Sequence, residues 1–171
     1  MIKLKELLKP KPKFVGVIAA YVNEFEDKGL VAIKDEVPSN LKYSGEAYHI
    51  CPFSKKDIQA VLDGKTIPYP PKKVLSWSVT TGGIIEVKQN LEADSPRKFN
   101  NALVLKQKIT KDKCIVDVEA FIDKYEGAIS DTQYSDYESE EEVITINFLT
   151  KVDKTMLDGY FLDGKGTEYN K

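Results

Sequence analysis

Leu103-Val104-Leu105-Lys106-Gln107-Lys108-Ile109, followed after a short polar interval by Cys114-Ile115-Val116-Asp117-Val118, is the stretch whose reading decides the fold. Leu103, Leu105 and Ile109 alternate with Lys106 and Lys108, and Cys114, Val116 and Val118 repeat the pattern. A period of two puts alternate side chains on one face, so the segment reads as two strands. Downstream, Val118 to Tyr125 reads as a helical turn or two and Gly127 to Ser139 as an acidic loop dotted with aromatics. Strands follow from Glu142 to Leu149 and around Met156 to Leu162, and the tail at 164–171 reads as flexible.

Upstream, Glu92 to Asn101 is a polar loop and Val74 to Val79 an apolar strand. A Thr80-Thr81-Gly82-Gly83 turn leads into a helix through Ile84 and Leu91, capped by one of the threonines. Tyr43 to Phe53 reads as a strand ending near Pro52. Ser54 stands three residues before Asp57 as an N-cap, with Ile58, Val61 and Leu62 on one face of a short helix that Gly64 ends. Phe14 to Phe25 is almost continuously apolar; periodicity cannot separate buried helix from strand there, and its length favours helix. Residues 1–13 form a basic arm, with a turn or two of helix before Pro10 and Pro12. Helices mostly early and strands mostly late argue for α+β rather than an alternating parallel sheet, and no glycine-rich phosphate loop is present.

The chain has 171 residues, 42% hydrophobic and 30% charged, with a formal net charge of -2. That supports one domain with one substantial core and no basic field of the kind nucleic acid attracts. The apolar run from Phe14 to Val22 is far short of the roughly 20 residues that span a bilayer. Cys51 and Cys114 provide neither a disulfide framework nor a zinc-site spacing, so no metal is expected, and a reducing, cytoplasmic compartment fits.

Three features could carry chemistry. In Glu140-Glu141-Glu142, an extended chain would turn Glu140 and Glu142 to one face, where two carboxylates raise each other's pKa and divide acid/base and electrostatic work. The bland alternative is a solvated charge run guarding a strand edge. In Ser76-Trp77-Ser78 the two hydroxyls share a face and can orient a carboxylate; serines are also ordinary in half-buried strands. The third feature is His49, the sole histidine, a residue type that in strands usually has a structural hydrogen-bonding role.

The order of these features resembles the signature of the Arg-Ser-Glu class of NAD-dependent mono-ADP-ribosyltransferases: a Tyr-rich early strand, a Ser-x-Ser strand before a helix, and a Glu-x-Glu before Val143-Ile144. The likeness spans roughly residues 37–162. It implies N-terminal helices and a mixed or antiparallel two-sheet β core. It further implies transfer of ADP-ribose from NAD to a protein side chain, with arginine one candidate acceptor. Glu142 would be the catalytic glutamate, Glu140 would prepare the acceptor, and Ser76 and Ser78 would brace the pocket wall. Arg97, the single arginine, would meet the pyrophosphate and Phe99 would stack on nicotinamide. Tyr134 and Tyr137 would face the protein target. Where the first motif expects arginine, His49 is the best-placed residue; another branch uses histidine there, but with a tyrosine motif in place of Ser-x-Ser. The second expectation is therefore a domain on the same fold that binds without turnover, such as a phage accessory protein occupying a factor in the host cytoplasm.

Overall fold

Both alternating runs form strands, and the sheet they seed is antiparallel at every pair. A computed structural model describes residues 11–95, 97–128 and 140–169. Among these, the helices are α1 (Lys13–Glu24), α2 (Lys55–Leu62), α3 (Thr81–Asp94) and α4 (Val118–Lys124). The strands are β1 (Gly45–Pro52), β2 (Ile67–Pro68), β3 (Val74–Ser78), β4 (Ala102–Ile109), β5 (Cys114–Asp117), β6 (Glu142–Ile146), β7 (Lys151–Val152), β8 (Leu157–Leu162) and β9 (Lys165–Glu168). Seven strands form one sheet in the order β5-β6-β3-β1-β4-β8-β9, and β2 and β7 form a small second sheet. The fold is thus α+β, although helices alternate with strands more than the early-late division predicted. None of the described helices is long and apolar enough to cross a membrane.

Strand register sorts the side chains. One face of the large sheet carries Ala47 and Cys51 of β1, Leu75 and Trp77 of β3, Leu103 and Leu105 of β4 and Val143 of β6, packed against Ile58 and Val61 of α2. The other face carries two separate clusters. At the β5–β6 end, Val116 and Ile144 meet Phe14, Ile18 and Val22 of α1 and Phe121 of α4. At the β1–β4 end, Ile50, Ala102 and Val104 meet Ile84 of α3 and Phe99. Between the two clusters, on β3 and β6, this face presents Ser76, Ser78 and Glu142.

The helix ends follow from their caps. Ser54 Oγ accepts the Asp57 N–H at 3.1 Å and Thr80 Oγ1 accepts the Gly83 N–H at 3.1 Å, each satisfying a donor left open by the first turn.

Four expectations are corrected. The tail read as flexible contains β9, which pairs with β8 from Gly159↔Glu168 to Leu162↔Lys165; its fully exposed, Gly-containing strand carried no hydrophobic alternation to reveal it. The strand read as Glu142 to Leu149 stops at Ile146, and the loop read as starting at Glu92 starts after Asp94, where α3 ends. The chain is not extended through Glu140 to Glu142, because Glu141 sits in the left-handed region at φ 49° and β6 begins only at Glu142. The turns expected within Met1 to Leu8 lie outside the described residues.

Candidate active site

Glu142 opens β6 opposite Ser78 of β3, and Ser76 stands one diagonal step along the same face. Ser76 Oγ donates to Glu142 Oε1 at 2.7 Å. A second donor arrives from 121 residues away: Tyr21 Oη, on α1, donates to the same oxygen at 2.6 Å. Glu142 is only 4% exposed, and its other oxygen, Oε2, is buried without a hydrogen-bond partner. A buried carboxylate oxygen left unpaired is costly, which makes it the atom that most needs an explanation. Burial raises the Glu142 pKa from its ordinary 4.5 to about 7; the hydrogen bonds from Ser76 and Tyr21 pull it down, and the nearby Glu140 pushes it further up. At neutral pH this carboxyl is poised between its two forms.

Glu142 lines a cavity of about 520 Å³ in the seam between the two clusters. Ser76, Ser78, His49 and Glu140 line it too. α1 contributes Tyr21 and Phe25, and α3 contributes Ile84, Val87, Asn90 and Leu91. The result is a polar floor at the sheet beneath apolar walls, the usual composition of a small-molecule site.

Glu140 reaches the cavity by a route other than strand alternation. The left-handed Glu141 reverses the chain, and Val79 N–H holds the Glu141 carbonyl at 3.1 Å. Asn90 Nδ2 of α3 then donates to Glu140 Oε1 at 2.8 Å. Gly83 permits this approach: a Cβ there would run into the Glu140 carbonyl and stand 2.9 Å from the Ser78 Cβ.

His49 is held as a wedge. β1 pairs with β4 along its whole length but with β3 at Tyr48↔Ser78 alone, so the two strands part beside the site. The imidazole fills the gap. Its Nδ1 lies 2.7 Å from the Ser76 carbonyl, which can only accept, so Nδ1 carries the proton; Nε2, 2.7 Å from Tyr69 Oη, then accepts the tyrosine hydroxyl. Trp77 packs on the ring at 5.2 Å between centroids. Burial, with Lys72 nearby, lowers the pKa from 6.5 to about 4 despite the Ser76 carbonyl, so His49 is neutral at neutral pH.

The structure thus brings Ser76, Ser78, Glu140, Glu142 and His49 to one cavity. Ser78 is buried beneath Gly83, and among the described residues no hydrogen bond joins it to Glu142. Arg97 and Phe99 are elsewhere. Arg97 is exposed in a left-handed turn at φ 72°, away from the cavity lining; the cation on that lining is Lys72. Phe99 is 3% exposed in the cluster around Ile50 and Ile84, where its ring is consumed by packing. Tyr134 and Tyr137 lie outside the described residues. Sequence reasoning missed Tyr21, whose only signal was a hydroxyl near the end of an otherwise apolar helix. Compared with family models, with curated proteins and with solved structures, the chain matches none.

Proposed function

We propose that the protein is an NAD-dependent mono-ADP-ribosyltransferase that modifies a protein side chain, with Glu142 as its reacting carboxylate. The observation that carries the reading is the asymmetry of that carboxylate in a residue that lines the cavity: Oε1 is held by Ser76 and Tyr21, and Oε2 is buried without a hydrogen-bond partner. Such an oxygen suits a ligand that brings a hydroxyl donor and develops positive charge, as the nicotinamide ribose does. In the reaction the C1′–nitrogen bond breaks and its electron pair neutralises the departing nicotinamide. The ribose becomes oxocarbenium-like, and the acceptor atom bonds to C1′ and gives up its proton. A carboxylate at the ribose hydroxyl stabilises that charge, the logic shared with glycoside hydrolysis. Glu140, which Asn90 holds at the same cavity, would receive the acceptor's proton. The antiparallel core and the gathering of Ser76 and Glu142 are compatible with the resemblance in sequence order.

The test is release of nicotinamide and labelling of a cell lysate from labelled NAD. Glu142→Ala should lower both by on the order of 100-fold or more. Unchanged labelling in that variant ends the proposal.

One observation favours the second reading, binding without turnover: both ring nitrogens of His49 are engaged by the protein, leaving neither for a ligand. Under that reading NAD at millimolar concentration leaves the unfolding temperature unchanged and no nicotinamide appears.

A further inference from the structure

We propose that Tyr21 is a positioning residue: helix α1 completes the site by holding, together with Ser76, one oxygen of Glu142, which fixes the carboxylate at the cavity lining and leaves its other oxygen without a protein partner. This rests on Glu142 being the reacting carboxylate.

A single donor on Oε1 restrains only weakly the carboxylate's terminal torsion, which is soft and roughly two-fold. Two donors from opposite sides of the chain remove that freedom. Ser76 approaches within the sheet, two residue pairs along the ladder from Glu142, while Tyr21 approaches from the helix laid over it. The spacing of α1 supports a site role. Tyr21 lies three residues after Ile18 and one before Val22, both buried in the cluster that anchors the helix, and its half-buried ring turns to the cavity. Phe25, one turn on, lines the same cavity and closes the helix in the left-handed region at φ 55°. A helix packed solely for its apolar face would need neither a phenol hydroxyl on a carboxylate nor a phenylalanine in a conformation that favours glycine.

The chemistry follows. Both donors favour the charged carboxylate, opposing burial and the neighbouring Glu140. Tyr21 therefore fixes the direction of Oε2 and enlarges the ionised fraction available near neutral pH.

The experiment uses the full chain with its glutamates labelled at the side-chain carboxyl carbon, so that the Glu142 titration is read by NMR in wild type, Tyr21→Phe and Ser76→Ala. Tyr21→Phe keeps the ring, and thermal unfolding confirms that each variant folds. Hydrogen bonds to a charged group are strong enough that losing one should raise the Glu142 midpoint by about one pH unit. The acid limb of nicotinamide release should move up by the same interval, with kcat at pH 7 reduced roughly fivefold, KM little changed and partial recovery above pH 8. Ser76→Ala should behave alike, which supplies an independent variant should Tyr21→Phe fail to fold. An unmoved midpoint in Tyr21→Phe overturns the proposal, and so does a moved midpoint with an unmoved acid limb. If wild type releases no nicotinamide, the enzymatic reading fails on its own, and the titration midpoint alone decides whether Tyr21 holds the carboxylate.

Discussion

At the scale of single residues, the site sets two buried groups against each other. Glu142 has its pKa raised to about 7, so between pH 4.5 and 7 the folded chain keeps a proton that the unfolded chain has released. Stability from this group therefore falls as pH rises through that window, and above it the penalty amounts to about 3 kcal/mol. His49 has its pKa lowered to about 4, so between pH 6.5 and 4 the unfolded chain takes up a proton that the folded chain refuses. Stability from this group falls as pH drops. Between roughly pH 4.5 and 6.5 the two slopes oppose one another. Glu142→Gln removes one of them, with the expected outcome that the variant gains 1–3 kcal/mol over wild type at pH 8, gains nothing near pH 4.5, and loses stability more steeply in acid. Urea unfolding at pH 5, 6, 7 and 8 measures this; a difference between the proteins that does not change with pH means Glu142 titrates as an ordinary carboxylate.

At the scale of elements, the site depends on how closely α3 starts against the sheet. The Thr80 cap and the two glycines after it bring the first turn of α3 onto Ser78 and the Glu140 carbonyl. In Gly83→Ala the new methyl group meets backbone on one side, so either α3 or the Glu140 segment must shift. The expected cost is about 1–3 kcal/mol of stability, together with weaker binding of the occupant because Asn90 and Glu140 move apart. Thermal unfolding and calorimetry with NAD check it, and a variant as stable and as tight as wild type would show that the close approach is dispensable. The same elements show what sequence can reveal. The period-two runs located β4 and β5, and side-chain caps located α2 and α3, because those signals are local. Ser76 and Glu142 were joined in advance through motif order, and Ser-x-Ser correctly placed both hydroxyls on one face. Glu140 reached the cavity for a reason alternation did not contain, since a left-handed Glu141 has no dependable local signature. β9 was invisible because an exposed edge strand needs no apolar pattern. Phe99 was misplaced because a lone aromatic in a polar stretch gives no sign whether it will face a ligand or a core. Tyr21 was missed because no local pattern reports a bond across 121 residues.

At the scale of the whole molecule, the cavity is a seam. One wall belongs to α1, anchored in the cluster at the β5–β6 end, and the other to α3, anchored in the smaller cluster at the β1–β4 end. The sheet beneath is itself parted between β1 and β3, with His49 bridging where ladder hydrogen bonds would otherwise run. Both walls stand on one floor, and an occupant that contacts both connects them directly. Local opening is easiest where few buried apolar contacts hold an element, and α3 contributes Ile84 as its buried anchor. NAD at about a hundred times its dissociation constant should stabilise the fold by about 2.7 kcal/mol, a rise of about 5–10 °C for a chain of this size. Slowed hydrogen exchange should then appear in the C-terminal turn of α1 and along α3 together, while α2, on the opposite face of the sheet, changes only as the global stability does. Protection confined to one wall, or spread evenly over both faces, would place the ligand outside the seam.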